Sequence, residues 1–182
     1  MLDKQRVKEA ESNVKSYLRE SLLKKEPLNN QALGVLVRNA QESITSAEKL
    51  SDGTSDLWVI VCSYYSMFYI ANAVLRKLGY KVGDKIVHQV TSDAMIVFVR
   101  GKLKESFIEE YEEIKEEALN FAGVKADSLI ESFDFEKGKR GRIQYQTEDV
   151  EKKAKAKTSL QRAKVFFNEM QRLLVDSEKK TR

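Results

Sequence analysis

The chain has 182 residues, 33% of them charged, with eight glycines, one proline, one cysteine and a formal net charge of +4. This length buries a substantial core without covalent staples, a lone Cys62 rules out an intramolecular disulfide, and one cysteine with one histidine gives no basis for a Cys/His zinc site. Few breakers among many Lys, Glu and Leu residues point to an all-helical protein.

Residues 3–25 place Val7, Ala10, Val14, Tyr17 or Leu18, and Leu22 at steps of three and four, which predicts an amphipathic helix ended by Pro27. Asn29 or Asn30 is placed to cap a second helix whose stripe is Leu33, Leu36, Ala40, Ile44, Ala47 and Leu50. SDGTSD at 51–56 is a turn. The next stretch organises the chain: sixteen of the nineteen residues in 57–75 are apolar or aromatic, only Ser63, Ser66 and Asn72 interrupt them, and no Gly or Pro follows until Gly79. Such a run reads as a helix buried nearly all round. Its length also suits a bilayer span, but Tyr64, Tyr65 and Tyr69 lie mid-segment instead of at the ends, which favours the rod of a helical bundle and no membrane.

Beyond Gly79, YKVGDKIV predicts a short polar loop leading to His88. QVTSDAMIVFVRGKL is β-branched at its centre, yet it reads as helix because a lone strand would find no partner. ESFIEEYEEIKEEALNF at 105–121 is an acidic amphipathic helix, and its glutamates have the pattern of a solvated face instead of a metal site. A weaker helical stretch then gives way to a basic loop broken by Gly138 and Gly141. Thr147 is placed to cap a long last helix with Leu160, Ala163, Phe166, Phe167, Met170, Leu173 and Leu174 on one face. The sum is a single all-α domain over 1–182, an up-and-down bundle of five to six helices around the buried central one. With no apolar leader at its N-terminus and one cysteine, the chain is expected to be cytoplasmic.

The excess positive charge is concentrated late, in EKGKRGR at 136–142 and EKKAKAK at 151–157. Lys137, Lys139, Arg140 and Arg142 beside Tyr145 have the composition of a phosphate-contacting patch with one aromatic available for stacking, and equally that of a solvated loop. There is no phosphate-binding glycine loop and no paired cysteine motif.

The order AQESITSAEKL, SYYSMFYIANAVLRKLGY, KIVHQV, KRGRIQY and a closing helix with AKVFF resembles the HEPN domain of small prokaryotic proteins. Tyr64, Tyr65, Phe68, Ala71 and Leu75, followed by Gly79 and His88, carry most of the resemblance. It spans roughly 32–175 and leaves 1–27 as an N-terminal helical extension. It implies a bundle of four or five helices, often homodimeric, from nucleotide-linked, RNA-targeting defence or toxin-antitoxin systems, frequently with a nucleotidyltransferase partner and with no metal or cofactor.

Many members are metal-independent ribonucleases with an Arg separated from a following His by four to six residues. The His moves the proton of the attacking 2′-hydroxyl or of the leaving group, and the Arg stabilises charge on the phosphoryl oxygens. His88 matches by type, but Lys81 stands at one Arg position and Val82 and Gly83 at the others. Lysine lacks the planar fork that grips two oxygens. The expected function is therefore a module that dimerises and binds a nucleotide, RNA phosphate or a nucleotidyltransferase, using Lys81, Lys85, Lys137, Lys139, Arg140, Arg142 and Tyr145 around His88. Two alternatives stand beside it: an endoribonuclease using His88 with Lys81, Arg140 or Arg142, and a bundle whose stripes serve self-association alone.

Overall fold

The uncharged run at 57–75 forms a helix, and most of the chain is arranged to enclose it. The computed structural model describes residues 3–53, 55–104, 106–133 and 145–179, with side chains for 3–53, 55–104, 106–120 and 152–175. In chain order the elements are α1 (Lys4–Arg19), β1 (Leu23–Lys25), α2 (Asn30–Leu50), α3 (Asp56–Lys77), β2 (Tyr80–Val82), α4 (Val87–Phe98), α5 (Ser106–Phe133) and α6 (Tyr145–Lys179). A single 3-10 turn, Arg100–Lys102, links α4 to α5. The protein is an all-α bundle with one very small sheet.

α3 packs most extensively on α2 and α6 and also touches α5 and α4, while α1 lies on α4. Close approach is possible because α2 and α6 turn small residues inward: Ala40, Ala47, Ala156 and Ala163 are all buried. Two of the three polar interruptions in α3 serve as ties. Ser66 Oγ donates to the Ala40 carbonyl of α2 at 2.9 Å, and Asn72 Nδ2 donates to Thr91 Oγ1 of α4 at 3.2 Å. Each satisfies a buried polar group that would otherwise cost stability.

Among the described residues the enclosure leaves a gap. Trp58 is 51% exposed, and Cys62, Tyr65, Phe68 and Tyr69 are only partly buried. Positions 58, 62, 65 and 69 follow steps of four and three, so they draw one stripe along α3 that no described helix covers. By length and composition α3 would suffice to cross a membrane, and 61% of its most apolar window is buried inside the protein.

The first helix ends earlier than expected. α1 stops at Arg19, Ser21 takes a left-handed φ of 60°, and the chain continues as β1 well before Pro27. β1 pairs antiparallel with β2, Leu23 opposite Val82 and Lys25 opposite Tyr80, in what the sequence presented as a polar loop. Two flanking bonds extend the pairing: Gly83 N donates to the Leu22 carbonyl at 2.8 Å and Glu26 N to the Gly79 carbonyl at 3.0 Å. Gly79 takes a φ of 86° past the end of α3, and a Cβ on Gly83 would lie 3.1 Å from the Leu22 carbonyl, so both turns suit glycine. Each segment supplies the partner the other lacks. α1 itself belongs to the core, with Ala10, Val14 and Tyr17 buried.

Ile70, fully buried on α3, and Trp58, on its open stripe, separate the two faces. Ile70→Ala is expected to cost about 2–5 kcal/mol in denaturant unfolding, and Trp58→Ser less than about 1 kcal/mol. Equal losses would contradict this arrangement.

Candidate functional site

α4 carries a carboxylate inside an apolar run, and that residue shapes the site. The Asp93 side chain is 1% exposed. Its Oδ2 accepts from Tyr17 Oη at 2.8 Å and from Asn13 Nδ2 at 3.0 Å. Arg6 Nη1 stands 2.7 Å from Oδ1 as an ion pair without hydrogen-bond alignment. The same guanidinium reaches Glu112 of α5, with Nη2 at 2.6 Å from Oε1, an oxygen that also accepts from Ser92 Oγ at 2.8 Å. Burial works against the Arg6 charge, but the two carboxylates outweigh it and raise its pKa. One buried charge thereby joins α1, α4 and α5.

His88 sits in the first turn of α4, on the same side as Ser92. Its ring lies among three aromatics of α3, with centroids 5.5 Å from Tyr64, 6.0 Å from Tyr65 and 4.8 Å from Phe68. Nδ1 is 2.7 Å from Tyr64 Oη, which leaves Nε2 as the ring nitrogen available to the cleft. Burial pushes the Tyr64 pKa up, so the hydroxyl keeps its proton. Tyr111, whose buried hydroxyl has no hydrogen-bond partner among the described residues, offsets part of that shift without an aligned bond. With Tyr64 as donor, His88 presents an Nε2–H to the cleft; with Tyr64 as acceptor, Nε2 is a base.

The cleft beside His88 has a volume of about 570 Å³ and is walled by α1, α4 and α5. Its charged lining is two cations, Arg6 and Lys115, against four carboxylates, Glu9, Asp93, Glu112 and Glu116. Lys115 is the cation nearest in effect to His88: after burial, its charge is the second cause lowering the His88 pKa. Its Nζ is 3.4 Å from Ser92 Oγ and 3.9 Å from Glu112 Oε1.

Of the basic residues singled out in the sequence, Lys81 lines a different groove and lies 3.3 Å from Glu26. It does not stand where an arginine partner of His88 would. Lys85 is exposed on the loop before α4. Lys137, Lys139, Arg140 and Arg142 fall outside the described residues, and of Tyr145 only the backbone, the first residue of α6, is described. α5 continues for 18 residues beyond Lys115, about 27 Å of helical rise, before that basic run begins.

Sequence reasoning missed Arg6, Asn13, Lys115 and the Tyr64 contact. The available signal was Asp93 itself: an acid in TSDAMIVFV must be paired, and a charged helix at the chain start can supply the partner.

Ile86, which precedes α4, has φ 42° and ψ 37°, a left-handed conformation that is costly for a β-branched residue, and its side chain is 53% exposed. Such strain is of order 1–3 kcal/mol, against roughly 0.5–1 kcal/mol for the extra freedom of glycine. Ile86→Gly is therefore expected to raise stability by roughly 0–2.5 kcal/mol in denaturant unfolding, and a loss of about 1 kcal/mol would refute the strained geometry.

The His88 pKa is held below its ordinary value of 6.5 by burial first and by Lys115 second. As pH falls the unfolded chain takes up this proton before the folded one, so the contribution of His88 to stability declines as pH drops through about 6.5. Measured between about pH 7.5 and 5.5, His88→Gln is expected to lose less stability than the parent protein; an identical slope would show that His88 does not titrate this way. Comparison with known protein families, with curated proteins and with solved structures found no match.

Proposed function

We propose that this chain is a non-catalytic helical module of the HEPN type that dimerises and takes a mononucleotide-sized ligand in the cleft at His88. The observation that carries this reading is the fixed imidazole: Tyr64 holds Nδ1, and the remaining nitrogen is available to a cleft of about 570 Å³ that also contains Lys115. That volume lies within the range of small-ligand sites. In this reading Lys115 and His88 receive the phosphate, and the rim carboxylates Glu9 and Glu116 accept from sugar hydroxyls or the base.

Electrostatics favour a small ligand over a polynucleotide. Four carboxylates against two cations repel a chain of phosphates, and Arg6 is committed to Asp93 and Glu112. A ribonuclease of the kind the resemblance brings to mind needs an arginine free to meet the phosphoryl oxygens beside the histidine. The incompletely covered stripe of α3, with Trp58 51% exposed, supports dimerisation, since contiguous exposed apolar surface marks interaction sites. A nucleotidyltransferase is the heterologous partner that the resemblance favours.

The test incubates the full chain, in excess chelator, with single-stranded RNA and separately with each common nucleoside monophosphate. RNA is expected to stay intact, one or more mononucleotides to raise the melting temperature, and both His88→Ala and Lys115→Ala to abolish that rise. Cleavage by the parent protein that His88→Ala loses would replace this reading with the ribonuclease. No shift with any nucleotide, together with dissociation on dilution, would leave a self-associating bundle.

A further inference from the structure

A second groove, built from other elements, has the opposite electrostatic character. It lies between the opening of α2, the end of α3 and β2, and has a volume of about 490 Å³. Two cations, Arg76 and Lys81, line it, and among the described residues no carboxylate does. Arg76 is 8% exposed, an unusual depth for a guanidinium. Val35, Leu36 and Tyr80 form its apolar wall, and the Tyr80 ring is held by stacking on Phe98 with centroids 4.1 Å apart.

The two cations already show that they can hold an oxyanion together. Arg76 Nη1 donates to Glu26 Oε2 at 2.8 Å, and Lys81 Nζ lies 3.3 Å from Glu26 Oε1. Glu26 belongs to the segment after β1 and is absent from the groove lining, so it grips the pair from outside. Its carboxyl is held below the usual range, with the Arg76 hydrogen bond as the largest cause. Tying the end of α3 to this segment explains the ion pair, but not an apolar chamber on the other side of the same cations. The start of α2 adds to the field there. Asn29 Oδ1 accepts from Ala32 N and the Asn29 carbonyl from Leu33 N, which leaves the Asn30 and Gln31 amides without intrahelical partners.

We propose that this groove binds a small organic oxyanion carrying an apolar or aromatic body. The oxyanion meets Arg76, Lys81 and the first turn of α2, the body lies on Val35, Leu36 and Tyr80, and Glu26 is the internal carboxylate with which the ligand competes. The site stands apart from the reading of the His88 cleft and does not rest on it.

The probes are phenyl phosphate and benzoate, each compared with inorganic phosphate, titrated into the full chain by calorimetry. At least one aromatic probe is expected to bind more tightly than inorganic phosphate, and the stronger of the two identifies the preferred head group. Lys81→Ala, at a half-exposed position, is expected to weaken binding by roughly tenfold, the scale of one charge-assisted contact. Val35→Glu is expected to abolish it, Glu26→Gln to tighten it, and His88→Ala to leave it unchanged. If Glu26→Gln fails to fold, Lys81→Ala and Val35→Glu decide the matter. Binding no tighter than that of inorganic phosphate, or binding unaltered in both of those variants, would overturn the proposal.

Discussion

An uncharged helical run about 28 Å long, residues 57–75, must be taken out of water, and nearly every other feature follows from how this chain does so. No single amphipathic helix can cover such a rod, because each presents one apolar stripe. α2 and α6 take most of the surface, and their inward alanines bring the backbones close enough to exclude water. α5 and α4 cover further sectors of the rod. The angular sector that remains becomes the stripe from Trp58 to Tyr69, a geometric residue of covering a cylinder with a limited number of helices.

Covering α3 with α4 introduces the second constraint, the buried carboxylate of Asp93. A carboxylate at that depth needs polar partners, and the bonds it makes come from outside α4. Asn13, Tyr17 and Arg6 supply those partners from α1, which ties that helix to α4. Because Arg6 spans Asp93 and Glu112, the charge network also fixes α5 against α4. His88 lies one helical turn from Ser92, which bonds the same Glu112, so the network that stabilises the bundle forms the floor of the cleft.

The helices were legible in the sequence because their apolar residues recur with the helical period. The Asn29 cap and the stop at Gly79 were legible because those residue types have few other uses at those places. The limit of α1 was not, since Leu22 continues the stripe while Ser21 has already turned the chain, and the pairing of Leu23–Lys25 with Tyr80–Val82 joins segments too short to carry a period. The open stripe of α3 was hidden for a related reason: composition shows that a run is apolar but not how many neighbours arrive to cover it. His88 was visible as the chain's one histidine, while its setting among Tyr64, Lys115 and Arg6 depends on contacts across tens of residues that periodicity does not encode.

The placement of Lys81 shows how chain distance misleads. Seven positions before His88 it stands in for a catalytic arginine on paper, yet β2 carries it to Arg76 and Glu26 and into a separate groove. These three cations are thereby divided: Arg6 is neutralised inside the acidic cleft, whereas Arg76 and Lys81 share Glu26 beside a groove with no carboxylate among its described lining residues. The first cleft, rimmed by carboxylates, disfavours a polyanion and suits at most a single phosphate met by Lys115 and His88, whereas the second favours a small oxyanion outright, so the two cavities differ in how much negative charge they can accept.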